Sequence, residues 1–287
     1  MEKVNFNSCC IDIINNTQTL SRRLSYQLGE MHATIDLGKH RERQEDAVLI
    51  MHHPSMSDFK ILAVADGMGG VMGAKASNIV VQELLKWFSN LPIKIALNVN
   101  ELSKHYHYKL ESIDDIIRTH CGKAGSTLVS SIVAKKHTVI TNLGDSRAYT
   151  YTNGELVQLT EDHTRSGKLA KEGIIEKADI RFHKQNHLIN SGLGCEVPKM
   201  KIHEIIIPNV GYETLLLFSD GVTDCLSDNQ IRHLVSNTSP TCKITDIIVD
   251  KALSTNTSQQ HLCPNDYWLE IEGGHDNTTA VALVRKE

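Results

Sequence analysis

Two short apolar runs in this 287-residue chain end in the same dipeptide, and that repetition constrains the fold more than any other feature. Ile61-Leu62-Ala63-Val64-Ala65 runs into Asp66-Gly67, and Leu215-Leu216-Leu217-Phe218 runs through Ser219 into Asp220-Gly221. Nearly continuous apolar segments of this length read as strands covered on both faces. An Asp-Gly pair by itself marks nothing more than a turn. At the end of a buried strand, however, it sets a carboxylate at the rim of a sheet.

More carboxylates share that placement. Glu45-Asp46 opens a strand, Asp145 sits at a strand end in Gly144-Asp145-Ser146-Arg147, Asp224 lies four residues past Asp220, and Asp276 precedes the last strand. Acidic groups crowded at one end of a sheet repel one another unless cations neutralise them. Oxygen ligands without a cysteine or histidine cluster select hard ions, magnesium or manganese. Two such ions can share a water, lower its pKa and support in-line attack on phosphorus. Taken singly, Asp145 or Asp276 reads better as a turn or helix cap. Arg41 and Arg43 stand just before Glu45, where a guanidinium can grip phosphate oxygens; one of the two reads as a solvated surface charge.

Composition removes other classes. Thirty Lys and Arg against 34 Asp and Glu give a net charge of −4, so no basic excess points to nucleic acid or anionic lipid. No apolar run approaches a membrane span, and the opening Met1-Glu2-Lys3 lacks a secretory pattern, so a cytoplasmic location is expected. Seven cysteines without Cys-x-x-Cys suggest neither a disulfide framework nor a thiolate zinc site. His183 and His187 have the spacing of two zinc ligands on a helix, but no third ligand is evident. Residues 67–73 are glycine-rich yet lack the phosphate-loop ending.

Periodicity places strands at 32–36 (an outer one), 46–51, 60–65, 126–134, 138–143, 147–152, 156–159, 214–218 and 278–284, with a hairpin loop over 52–58. The run from 126 to 159 reads as a β-meander. Helices are expected at 74–88, 113–119, 168–178, 228–235 and 243–253. Strands and helices come in blocks, which favours an α+β layered domain over a parallel doubly wound sheet. The organisation expected is an extension at 1–29 to which no structure is assigned and a domain at 30–287. That domain would carry a mobile flap at 164–190 and a surface insertion at 254–274.

Together, Gly38-Lys39-His40-Arg41-Glu42-Arg43-Gln44-Glu45-Asp46, Asp66-Gly67-Met68-Gly69-Gly70, Gly125-Ser126-Thr127, Gly144-Asp145-Ser146-Arg147, Glu161-Asp162-His163, Ser219-Asp220-Gly221-Val222-Thr223-Asp224 and Gly274-His275-Asp276-Asn277 resemble the ordered motifs of the protein phosphatase 2C family, the metal-dependent serine/threonine phosphatases. The resemblance implies a four-layer α/β/β/α sandwich, two central antiparallel sheets flanked by helices, with two manganese or magnesium ions at one end. It implies that Asp66 bridges the ions, that Glu45 and the Gly67 carbonyl hold one, and that Asp220 and Asp276 complete the other. Asp46 would orient a water, Arg41 would bind phosphate, and Asp145 and Asp224 match positions used for a third metal. The reaction implied is hydrolysis of phosphoserine or phosphothreonine in phosphorylated proteins by a water bridging the two ions.

Departures accompany the match. Met68 stands where eukaryotic members carry a histidine proposed as the acid, and a thioether cannot donate a proton; Asp-Gly-Met-Gly-Gly looks like the bacterial branch. The stretch 89–122 looks short of a full second long helix. Two other readings stand beside the phosphatase: a pseudophosphatase that binds phosphoproteins without turnover, and a metallohydrolase of small phosphate esters.

Overall fold

The computed structural model describes residues 8–11, 22–195, 200–239, 243–257 and 271–285. In chain order the strands are β1 (Ser8–Ile11), β2 (Arg23–Leu28), β3 (Met31–Asp36), β4 (Asp46–His53), β5 (Met56–Met68), β6 (Gly125–Ser126), β7 (Leu128–Val133), β8 (His137–Leu143), β9 (Arg147–Thr152), β10 (Glu155–Gln158), β11 (His203–Pro208), β12 (Thr214–Phe218), β13 (Asn256–Thr257), β14 (Ile271–Glu272) and β15 (Thr278–Val284). The helices are α1 (Val71–Ser89), α2 (Ile93–Ala96), α3 (Val99–Cys121), α4 (Arg165–Lys171), α5 (Asp220–Thr223), α6 (Asp228–Ser236) and α7 (Ile244–Ser254).

One sheet runs β1-β4-β5-β7-β8-β11 with β6 paired to β5, the other β10-β9-β12-β15-β3-β2, and every pairing within them is antiparallel. Side-chain alternation in the central strands sorts the core into three layers. Ile61, Ala63 and Ala65 of β5 pack with Val80, Leu84, Tyr106 and Leu110 of α1 and α3. Leu62 and Val64 point the other way and meet Leu215, Leu217, Val281 and Ile35 between the sheets. Leu216 and Phe218 face Ile231, Ile248 and Ala252 of α6 and α7. Three apolar layers divide four structural ones, so the α+β sandwich expected from the motifs is what the chain adopts.

Several expectations need correction. The 89–122 stretch holds a full 23-residue helix, α3, not a short piece at 113–119. Its stripe Leu102, Tyr106, Leu110, Ile113, Ile117 and Cys121 has helical spacing, and Asn98 caps it by accepting from the Asn100 and Glu101 amides. The charged and histidine-rich opposite face dilutes that signal. Leu110→Ala is expected to cost about 2–5 kcal/mol in denaturant unfolding; a loss below about 1 kcal/mol would contradict its core placement.

The 126–159 run is not one meander. β7 and β8 lie in the first sheet, and the chain crosses at Gly144, with φ 109°, into β9 and β10 of the second. Strands buried on both faces carry no alternation that would say which sheet they join. β3 is not an outer strand: β2, from the segment to which the sequence assigns no structure, covers its edge from Arg23↔Asp36 to Leu28↔Met31. The turn after β4 is confined to Pro54 and Ser55 rather than spanning 52–58. The 164–190 segment is partly anchored: Ile180 and Phe182 are buried, Phe182 in the third core layer, and its helix is α4 rather than one at 168–178. β11, at a sheet edge, was not foreseen. Most of the 254–274 insertion lies outside the described residues, although β13 pairs with β14 at its base.

Candidate metal centre at one end of the sandwich

The antiparallel registers bring six strand ends to a single rim. Asp46 opens β4 directly opposite Asp66 near the end of β5. Asp145 sits between β8 and β9, Asp220 follows β12 at the start of α5, and Asp276 precedes β15. The registers Leu128↔Leu143, Phe218↔Arg147 and Phe218↔Ala280 show these ends to be level. The structure therefore gathers carboxylates that stand up to 230 positions apart between Asp46 and Asp276 in the sequence.

Their electrostatics are those of mutual crowding. Burial, with the charges of Asp220 and Asp276 adding to it, pushes the Asp46 carboxyl up to about 7. Burial and Asp276 likewise push Asp220 up to about 7, against an opposing hydrogen bond with Asp66. Asp66 is held well above the ordinary carboxylate range by burial and by Asp46, Asp220, Asp276 and Asp145. Asp145 and Asp224 are raised in the same way, by burial first and by Asp220 among the neighbours. Glu45 is raised by burial despite Arg41, and its Oε2 accepts from the Gly70 amide at 3.0 Å.

Arg41 is the cation at this rim. Its Nη2 donates to Asp276 Oδ2 at 2.6 Å, and although burial opposes its charge, Asp276, Glu45 and Asp220 together hold its pKa above the usual value. Arg43 is exposed, and its carbonyl accepts from Asn277. Of the two arginines, Arg41 is the one whose side chain joins the cluster.

Sequence reasoning quoted Asn277 and passed over what it does. The side chain is buried, accepts from the Glu45 amide at 2.7 Å and donates to the Leu37 and Arg43 carbonyls at 2.9 and 3.1 Å. It thereby ties the Arg41–Glu45 segment to the start of β15. Thr279 Oγ1 donates to Asp46 Oδ2 at 2.6 Å, and Thr127 Oγ1 accepts from the Asp66 amide at 3.0 Å. No single-residue signal marks Thr279 or Thr127. Only the position two past Asp276-Asn277 and the Gly125-Ser126-Thr127 motif point to them.

The donor set suits a hard dication. Asp46, Asp145 and Asp220 each keep one buried carboxylate oxygen that no protein group hydrogen-bonds, and burying an unpaired acceptor is costly. Gly67 leaves room for close backbone approach, since a Cβ there would collide with the Gly73 and Glu45 carbonyls. Among the described residues no group of three or more His, Cys, Asp or Glu is spaced to hold an ion directly.

The sandwich and its acidic rim define an α+β fold with a candidate oxygen-ligand metal centre. A family model described as protein phosphatase 2C matches residues 33–172. The serine/threonine phosphatase stp of Listeria welshimeri is 29% identical over 267 residues, 89% of this chain and 96% of that protein. Protein phosphatase PhpP of Streptococcus pneumoniae is 27% identical over 223 residues, 77% of this chain and 89% of its own. The crystal structure of a bacterial serine phosphatase matches with a TM-score of 0.75 at 27% identity, covering 90% of this chain and 98% of that one. Over residues 33–172 the chain thus matches protein phosphatase 2C, and the relatives it resembles over most of its length are bacterial serine/threonine phosphatases.

Proposed function

We propose that this chain hydrolyses phosphoserine and phosphothreonine in other proteins with two manganese or magnesium ions at the acidic rim. It is a serine/threonine protein phosphatase, an assignment supported by the family match and by relatives of that name over most of the chain. The single observation that carries the metal-centre reading is the convergence of Asp46, Asp66, Asp220 and Asp276, with one buried oxygen left unpaired on Asp46 and another on Asp220.

In this reading Glu45, Asp66, the Gly67 carbonyl, Asp220 and Asp276 hold the ions, and Asp145 and Asp224 serve a third. Bound ions would acidify a water and neutralise charge developing on the phosphoryl oxygens. The remaining work falls to the chain. Asp46, fixed through one oxygen by Thr279, has its other oxygen free to orient the attacking water. Arg41 offers a fork of N–H donors to the phosphoryl oxygens and keeps its charge at any working pH. Met68 brings no proton, so the departing serine or threonine oxygen takes one from water. A cytoplasmic location belongs to the same proposal: Cys121, Cys195 and Cys225 are free thiols, and no helix among the described residues is long and apolar enough to cross a membrane.

A turnover screen over phosphoserine, phosphothreonine and phosphotyrosine peptides tests the assignment. Manganese-dependent release of phosphate from the first two, abolished by chelator, is expected. Phosphopeptide binding without turnover would overturn it in favour of a binding module, and a preference for small phosphate esters would favour a metabolite hydrolase. Arg41→Ala is expected to raise KM about tenfold with a smaller change in kcat, as for loss of a charge-assisted contact worth about 1.4 kcal/mol. An unchanged KM would remove Arg41 from phosphate binding.

A further inference from the structure

A cavity lies between the 164–190 segment and the turn from α5 into α6. It measures about 290 Å³, and its charged lining is Arg147, Lys177, Arg181 and Asp228. Arg147 is buried and held bidentately by Asp162, at 2.8 and 2.6 Å, with a longer contact to the Tyr149 hydroxyl. Asp228, the one acid in the lining, accepts from the Tyr149 hydroxyl at 2.9 Å.

The other two cations are poorly matched. Arg181 is half-buried, rests over the Phe182 ring at 4.5 Å, and donates only a long 3.5 Å bond to the Cys225 carbonyl. Burial, with Arg147 nearby, works against its charge, and Asp224 and Asp228 compensate in part. Lys177 is exposed at the mouth and makes no ion pair among the described residues. A cavity with surplus N–H donors and surplus positive charge is complementary to an oxyanion.

Two further features connect the cavity to the proposed reaction. Thr223 lines the cavity at the end of α5, the helix that Asp220 opens, so the cavity adjoins the acidic rim. Gln158 and Lys177 also line a larger groove of about 580 Å³ that continues past Lys168, Lys171 and Lys201. That groove gives an extended peptide a route to the cavity.

We propose that Arg181 and Lys177, backed by Arg147, form an oxyanion site that takes a carboxylate or phosphoryl group beside the scissile phosphate. The proposal rests on the phosphatase reading for its setting and deepens it to a substrate class, phosphopeptides with acidic or multiply phosphorylated flanks. The same chemistry would accept a free inorganic anion.

The experiment separates these sources. Two phosphothreonine peptides, identical except for flanking Glu or Gln, are assayed with manganese against wild type, Lys177→Ala, Arg181→Gln, Arg181→Lys and the Lys177→Ala/Arg181→Gln double variant, with p-nitrophenyl phosphate as a small control. Sulfate binding to wild type and the double variant is measured in parallel by calorimetry in chelator. The wild type is expected to show about a fivefold lower KM for the acidic peptide, lost in the double variant and retained in Arg181→Lys, while p-nitrophenyl phosphate kinetics hold within twofold. That result supports a site filled by the substrate. Loss of sulfate binding in the double variant, without a peptide preference in wild type, supports a site filled by a free anion. Equal peptide kinetics together with equal sulfate binding would overturn the proposal. Absent turnover by wild type would count against the phosphatase reading, and the sulfate comparison would still decide the cavity.

Discussion

Asp66→Asn is expected to lower kcat/KM for a phosphothreonine peptide by about 10³-fold or more, while leaving the melting temperature in chelator unchanged or higher. The two halves share one cause. Asp66 faces Asp46 across the β4–β5 register and feels the charges of Asp220, Asp276 and Asp145 in a buried setting. Its ionised form is therefore disfavoured until a cation balances the cluster. The amide is nearly isosteric and removes one of the repelling charges, so the metal-free fold loses nothing. It also removes the anionic oxygen on which tight metal binding depends, and several kcal/mol of stabilisation at the reacting phosphorus go with it. Asp220→Asn should behave alike, because burial and Asp276 perturb it in the same direction. A variant that stays active would defeat the account, as would one that melts well below wild type in chelator, since that would make Asp66 a structural residue.

The stabilisation conferred by manganese should grow with pH. The Asp46 and Asp220 carboxyls titrate at about 7 in the fold, against about 3.9 in an unfolded chain. Between those values the native state binds more protons than the unfolded state, so these groups make stability fall as pH rises. Their penalty is absent below about pH 4 and fully developed above about pH 7. Metal binding needs the ionised carboxylates and reverses the penalty. At pH 5 protons compete with the ions, and the added metal should shift the melting temperature little. At pH 8, with manganese at about a hundredfold above its dissociation constant, linkage gives about 2.7 kcal/mol, or about 5–10 °C. A metal-induced shift that is larger at pH 5 than at pH 8 would contradict the assignment of these carboxylates.

What the sequence revealed and what it hid follow one physical line. The rim carboxylates were legible because each is announced locally: an apolar strand such as Leu215–Phe218 followed within two residues by Asp220, or Asp276 just before Thr278–Val284. Pairing across the chain carries no such local mark. β8 and β9 are both buried on both faces, so nothing in their residues told which sheet each joins, and the crossing at Gly144 was invisible. α3 was read too short, at 113–119, for a different reason. Its apolar stripe is one residue wide and lies among Lys104, His105, His107 and Lys109, so composition outweighed periodicity. Helpers such as Thr279 and Asn277 act through contacts 232 to 240 positions away and could be recognised only after the strands were set in register.

The 2C-type motifs carried the fold class and the choice of Arg41 over Arg43. Arg41 donates to Asp276, whereas Arg43 contributes to the cluster only its charge near Glu45 and a backbone carbonyl. The same motifs did not reveal the cavity at Arg181 and Lys177. Its lining comes from the 164–190 segment, β9, β10 and the α5–α6 turn, which share no sequence pattern.

Manganese binding to the full chain at pH 8, read by calorimetry for wild type and Asp66→Asn side by side, addresses the metal centre itself without requiring turnover. Saturable uptake of two ions by wild type, with at least one lost in the variant, is the expected result. No uptake by wild type, or equal uptake by both proteins, would contradict a centre built on Asp66.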